Sequence, residues 1–139
     1  MPTRLELYER VTPLAGLGIW ERNLVTGAAY WNEITREILE INDEQPPDIS
    51  VAIKLHSEPE RLAAFLEDAK CTTKPRTGDF QIITANGNKK WIRIRIQSHF
   101  EDGVCKSIYG TVEDITLNLK LLDELQEKEK RFTKAFDHA

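Results

Sequence analysis

The sequence predicts an α+β domain: two strands, then two or three short helices, then three strands paired as an antiparallel meander. Three observations carry that prediction. Asp79 to Thr116 consists of three strand-like apolar runs broken at Asn86-Gly87 and Asp102-Gly103, residue pairs that tolerate the left-handed backbone of tight hairpins. Trp91 to Gln97 alternates almost strictly, with Ile92, Ile94 and Ile96 on one face and Trp91, Arg93, Arg95 and Gln97 on the other. Between the opening strands and the meander, apolar residues recur at helical intervals.

Taken in order, residues 3–11 carry Leu5, Tyr8 and Val11 at helical spacing and predict a short lead-in helix, broken by Pro13, Gly16 and Gly18. Gly18 to Leu24 reads as the first strand and Ala28 to Asn32 as the second, with Thr26-Gly27 in the turn. Trp20 and Trp31 then occupy matching places on a hairpin, where large aromatics either line a pocket or fill core. Ile34, Ile38, Leu39 and Ile41 predict a helix over Glu33 to Ile41, and Pro46-Pro47 prevents its continuation. Ile49 to His56 is ambiguous, with Ser50 a possible cap for a short helix carrying Val51, Ile53 and Leu55. A clearer helix begins near Glu58 and Pro59, proline being favoured in a first turn, and carries Leu62, Ala63, Phe65, Leu66 and Ala69. Thr72 to Gly78 reads as a polar loop into the meander.

The chain of 139 residues has room for one domain. Its net charge of -4 gives no case for nucleic acid, which needs a clustered positive face. Lys89, Lys90, Arg93 and Arg95 read instead as a solvated strand face. Cys71 and Cys105 form no CxxC pair and fit a reducing cytoplasm. The start MPTRLELYER lacks the apolar run of a signal peptide, and no stretch is apolar for long enough to span a bilayer. His56, His99 and the cysteines follow no metal-ligand spacing. The histidines have no nucleophile at motif spacing, and no glycine loop is built to cradle phosphate. The expectation is a chain that is not an enzyme and holds no metal.

After Thr116 the composition shifts to LNLKLLDELQEKEKR, a run of good helix formers without Gly or Pro. Ile115, Asn118, Leu122, Leu125, Glu129, Phe132 and Phe136 are spaced alternately three and four apart. That is a coiled-coil seam with two polar interruptions. An amphipathic helix folded back on its own sheet explains the pattern equally well. Residues 132–139 also line up with residues 8–15, which suggests a chain cut just inside a second repeat of the same domain.

In their order, these pieces resemble a PAS domain, a sensory box closed by a C-terminal PAC motif. Gly18-Ile19-Trp20-Glu21, Thr26-Gly27 and Tyr30-Trp31 look like the family's first two strands. Lys89-Lys90-Trp91, Tyr109-Gly110-Thr111 and the closing Asp114-Ile115-Thr116 look like its last three. The resemblance covers Tyr8 to Thr116 and implies a five-stranded antiparallel sheet with short helices on one face, flanked by terminal helices. It divides the chain into a lead-in helix (1–12), a sensor domain (13–116), a helical signalling linker (117–131) and the possible start of a second repeat (132–139).

The resemblance implies a sensory or signal-relay module of a larger, bacterial-type signalling protein, a sensor histidine kinase or diguanylate cyclase. The alternative is a ligand-free interaction and dimerisation module. Strand parity and apolar helix faces give the candidate ligand lining Trp20, Ile38, Ile53, Leu66, Phe80, Ile82, Ile94, Ile96 and Ile108. Which small ligand, if any, is left open. Flavin is not expected, since the family's covalent flavin site carries Asn-Cys-Arg-Phe whereas Cys71 is followed by Thr-Thr-Lys. Haem is not expected either. His56 to Arg61 falls where the family carries a helix-opening His-Pro-x-Asp stretch and reads as structural. Asp114 and Thr116 are the expected coupling residues, Thr116 as helix N-cap and Asp114 acting electrostatically on the same turn. Leu122, Leu125, Phe132 and Phe136 are the sizeable residues of an expected homodimer seam, with an output domain downstream in the same chain.

Overall fold

The computed structural model describes residues 3–42 and 44–137. In chain order it forms α1 (Arg4–Leu14), β1 (Gly18–Asn23), β2 (Ala29–Trp31), α2 (Glu33–Leu39), α3 (Ile49–Lys54), α4 (Pro59–Ala69), β3 (Arg76–Ile83), β4 (Lys89–Glu101), β5 (Val104–Asp114) and α5 (Thr116–Asp137). The strands make one antiparallel sheet in the order β2-β1-β5-β4-β3. Trp20 pairs with Trp31 across the first hairpin.

The alternation read from the sequence decides which face is buried. Ile92, Ile94 and Ile96 of β4 lie in the core beside Phe80 and Ile82 of β3 and Ile108 and Val112 of β5. Residues from α2 and α4 close over them, chiefly Ile38, Leu39, Leu62, Phe65 and Leu66. On the opposite face Arg93 grips Asp79 through two bonds of 2.8 and 3.1 Å, and Arg95 meets Glu113 at 3.3 Å. Both arginines of that face are thus paired in place, whereas Lys90, expected there, shares the parity of Ile92 and turns instead to the helix side, to Glu40 and the Ile38 carbonyl. Asp102 and Gly103 both take positive φ, as a two-residue hairpin of this hand requires.

Strand β3 begins at Arg76, inside the segment read as a loop. Arg76, Thr77 and Gly78 pair with Ile96, Arg95 and Ile94. The long partner strand β4 supplies the ladder that the local polar composition does not advertise.

The helices also depart in detail. A capping box of Thr3 and Glu6 starts α1, which runs through Pro13 to Leu14 instead of stopping short of it. Proline in a last turn removes one backbone bond without breaking turns that follow. Helix α2 stops at Leu39 because Glu40 turns left-handed at φ 57°. The cap of α3 is Asp48, whose carboxylate accepts the Ser50 N–H at 2.9 Å, so Ser50 lies inside the helix rather than capping it.

Helix α5 leaves the sheet from Ile115, which is only 2% exposed and belongs to the core rather than to a seam. Beyond it, Leu117, Leu121, Leu122, Leu125 and Phe132 are each half or more exposed. The helix projects from the body, and the folded-back alternative is not what forms. The side chain of Phe136 lies outside the described residues, as do the last two residues of the possible second repeat.

Candidate functional site

Between the sheet and the helices lies a cavity of about 60 Å³. Trp20, Ile92, Ile94 and Val112 form its floor, Leu39 comes from α2, Ile49 and Ala52 from α3, and Leu62 and Leu66 from α4. Its wall is mostly apolar, as expected where a sheet face and amphipathic helices meet. Behind Ile49 a second void of about 70 Å³ is bounded by Arg22, Ile49, Ile53, Leu66 and Ile108. Helix α3 contributes Ile49 to both walls and has no fully buried residue, so it is the most weakly seated part of the roof.

Of the expected lining, Trp20, Leu66 and Ile94 face the main cavity, and Ile53, Leu66 and Ile108 face the second void. Phe80 borders a hollow on the far side of His56, together with Arg61 and Trp91. Ile38, Ile82 and Ile96 are packed into the surrounding core. Cys71 is exposed at the end of α4, away from the cavity wall.

The cavity also has polar members that the apolar pattern could not reveal. Thr35 lines it but is committed, its single hydroxyl hydrogen shared between the Ile19 carbonyl and Asn32 Oδ1, each 3.0 Å from Oγ1. His56 lines it and is 6% exposed. Its Nδ1 lies 2.7 Å from the Ala52 carbonyl oxygen, so Nδ1 carries the proton and donates. Burial holds its pKa below the ordinary value, which the bond to Ala52 only partly offsets, and the ring is neutral near pH 7. The stretch from His56 to Arg61 opens α4, as expected, and His56 Nε2 is in addition buried without a partner among the described residues. Arg22 lines both voids from β1, on the same strand face as Trp20. The parity of Gly18, Trp20 and Arg22 was the available signal.

A polar network ties this wall to the start of α5. Lys90 Nζ donates to the Ile38 carbonyl at 3.0 Å, at the end of α2. The same ammonium lies 3.4 Å from Glu40 and 3.9 Å from Asp114. Glu40 also accepts from Thr84 Oγ1 at 2.6 Å and from Asn88 Nδ2 at 2.8 Å. These bonds, that from Thr84 foremost, hold its carboxyl below the usual carboxylate range.

The expected cap is not what Thr116 makes. Its hydroxyl accepts the Trp91 N–H, and the Asp114 carboxylate accepts the Thr116 N–H at 3.0 Å. Asp114 therefore serves the free N–H at the helix start, and Thr116 fastens the helix to β4.

No family model matches the chain. An uncharacterized protein, y4lL, of Sinorhizobium fredii is 38% identical over 69 residues, which are 49% of this chain and 8% of that protein. The chain thus spans under a tenth of the curated relative it matches. Among solved structures, a sensory box histidine kinase/response regulator from Burkholderia thailandensis superposes with a TM-score of 0.70 at 22% identity, covering 95% of this chain and 99% of the other. The N-terminal domain of a diguanylate cyclase with PAS/PAC sensor from Marinobacter aquaeolei gives 0.65 at 19%, covering 73% and 97%. A PAS domain from Colwellia psychrerythraea gives 0.63 at 19%, covering 82% and 98%. The strand order, the single helical layer and these superpositions agree: the chain folds as a PAS domain.

Proposed function

We propose that this chain is a sensory and signal-relay module of a multidomain signal-transduction protein, a sensor histidine kinase or a diguanylate cyclase. The observation that carries the reading is Lys90. One ammonium touches the end of α2, whose Leu39 walls the cavity, and Asp114, which holds the first N–H of α5. A ligand that displaces α2 or α3 changes what Lys90 can hold, and so biases the angle at which α5 departs. The module works by relay and not by chemistry. In this reading the protein is cytoplasmic, Asp114 and Thr116 are the coupling residues, and an output domain follows α5 in the same chain.

The relay acts on a parallel homodimer paired along Leu122, Leu125, Phe132 and Phe136, so that a change in the sheet reaches both chains together. The exposed leucines of α5 support that pairing. A second reading, a dimerisation module that binds nothing small, is favoured by the cavity volume of about 60 Å³. Small-molecule pockets usually hold some 300 Å³ or more.

The experiment is to extract small molecules from the purified, denatured chain, restore any that is found to ligand-free protein, and follow amide exchange at the start of α5. The relay reading expects altered protection from Thr116 to Lys120. A chain that yields no ligand and shows no change there is the dimerisation module.

A further inference from the structure

Two polar groups in the cavity wall, the Arg22 guanidinium and His56 Nε2, lack hydrogen-bond partners among the described residues, and they want different things. Arg36, Arg61, Arg76, Arg93 and Arg95 each reach a carbonyl or a carboxylate. Arg22 reaches neither. It extends from the core-facing side of β1 and borders both voids. A half-buried guanidinium without an acid is a standing offer of five donors in a planar fork. Glu21 touches the rim of the main cavity but makes no ion pair with Arg22. His56 offers the reverse. With its proton on Nδ1 and bound to Ala52, the buried Nε2 presents a lone pair and nothing else. A buried acceptor left unmet costs free energy, so a group that supplies a donor there is favoured.

The space limits what can satisfy both. The voids of about 60 and 70 Å³ share Arg22, Ile49 and Leu66 in their walls. Ile49 is only partly buried, at the start of the weakly seated α3. A rotation of Ile49 that joined the two would give a space a little under the roughly 150 Å³ that accommodates one benzene ring, with the polar end of a ligand left at the partly exposed Arg22. Aromatic and aliphatic walls suit such a ring.

We infer that this cavity takes a single-ring aromatic acid that also bears a hydroxyl, with the carboxylate on Arg22 and the hydroxyl donating to His56 Nε2. The inference rests on the sensory reading and names its ligand class.

The test uses the whole chain and three probes in titration calorimetry: 4-hydroxybenzoate, its neutral isostere 4-hydroxybenzamide, and benzoate. 4-Hydroxybenzoate is expected to bind at least about tenfold tighter than either of the other two, about 1.4 kcal/mol in each comparison. Arg22→Gln is expected to abolish the preference over the amide, and His56→Asn, which keeps a donor for Ala52, the preference over benzoate. Should His56→Asn fail to fold, the benzoate comparison in the unaltered chain carries that arm. Equal binding of acid and amide overturns the inference while leaving a sensory cavity in place, and so does a preference that survives Arg22→Gln. Binding of none of the three at millimolar concentration overturns it as well. The expected preferences with unchanged amide exchange in α5 uphold the site and overturn the relay instead.

Discussion

The Thr116 hydroxyl accepts the backbone N–H of Trp91 at 2.9 Å and lies 3.4 Å from the carbonyl oxygen of the same residue. One side chain thereby fixes the first residue of α5 to the start of β4. Thr116→Val keeps the shape and removes the bond. The expected loss is about 1 kcal/mol in urea unfolding with an unchanged slope. Faster amide exchange at Trp91 is expected with it. Unaltered exchange there means the contact is idle.

Lys90→Met is expected to cost about 1 to 3 kcal/mol, because it leaves the Glu40 and Asp114 carboxylates and the Ile38 carbonyl without their shared donor. Amide exchange at the start of α5 should rise with it. A variant as stable as the parent, with α5 unaffected, removes Lys90 from the coupling.

His56 makes stability depend on pH. Its folded pKa lies below the ordinary 6.5 because of burial, so the unfolded chain takes up its proton first as pH falls. Stability from this residue is complete above 6.5 and declines as pH drops through that value toward the folded pKa. Glu40 adds a separate loss at lower pH, since its contribution is present above 4.5 and disappears on further acidification. Urea midpoints at pH 7.5 and pH 5.5 should differ less in His56→Asn than in the parent chain. Equal differences would show that His56 does not carry the effect.

Gly110 lies on β5 opposite Ile96, where an added Cβ would run into the Arg95 carbonyl. Gly110→Ala must push two central strands apart. The expected cost is about 3 kcal/mol or more, at the upper end for single substitutions. A thermal melt close to that of the parent would mean the sheet bends to admit the methyl group.

The seam on α5 is tested by sedimentation. The full chain is expected to associate as concentration rises, and a chain ending at Thr116 to stay monomeric. Leu122→Glu with Leu125→Glu should abolish the association without altering the melt of the body. Two monomers at every concentration would leave α5 unpaired on its own.

The sheet was legible because its information is local. Alternation along Trp91 to Gln97 and paired turn residues need no knowledge of the rest of the chain. The start of β3 was hidden because Arg76 to Gly78 become strand only by pairing with β4. The cap of α3 was misplaced by two residues because Asp48 and Ser50 are both good caps, and only the backbone decides between them. The cavity was half legible. Apolar periodicity found Trp20, Leu66 and Ile94, and by its nature passed over Arg22, His56 and Thr35. The Lys90 network joins residues far apart in sequence, and no spacing rule finds it.

The stance of α5 has a mechanical consequence. Its 22 residues make a rod about 33 Å long, along which Leu117, Leu121, Leu122 and Leu125 are exposed. A rotation of about 5° at Thr116 would swing the far end by about 3 Å, given that length. Displacements of about 1 to 2 Å suffice to repack helix interfaces. A slight tilt at the base would therefore be enough to shift the far end by a distance that repacks a helix interface.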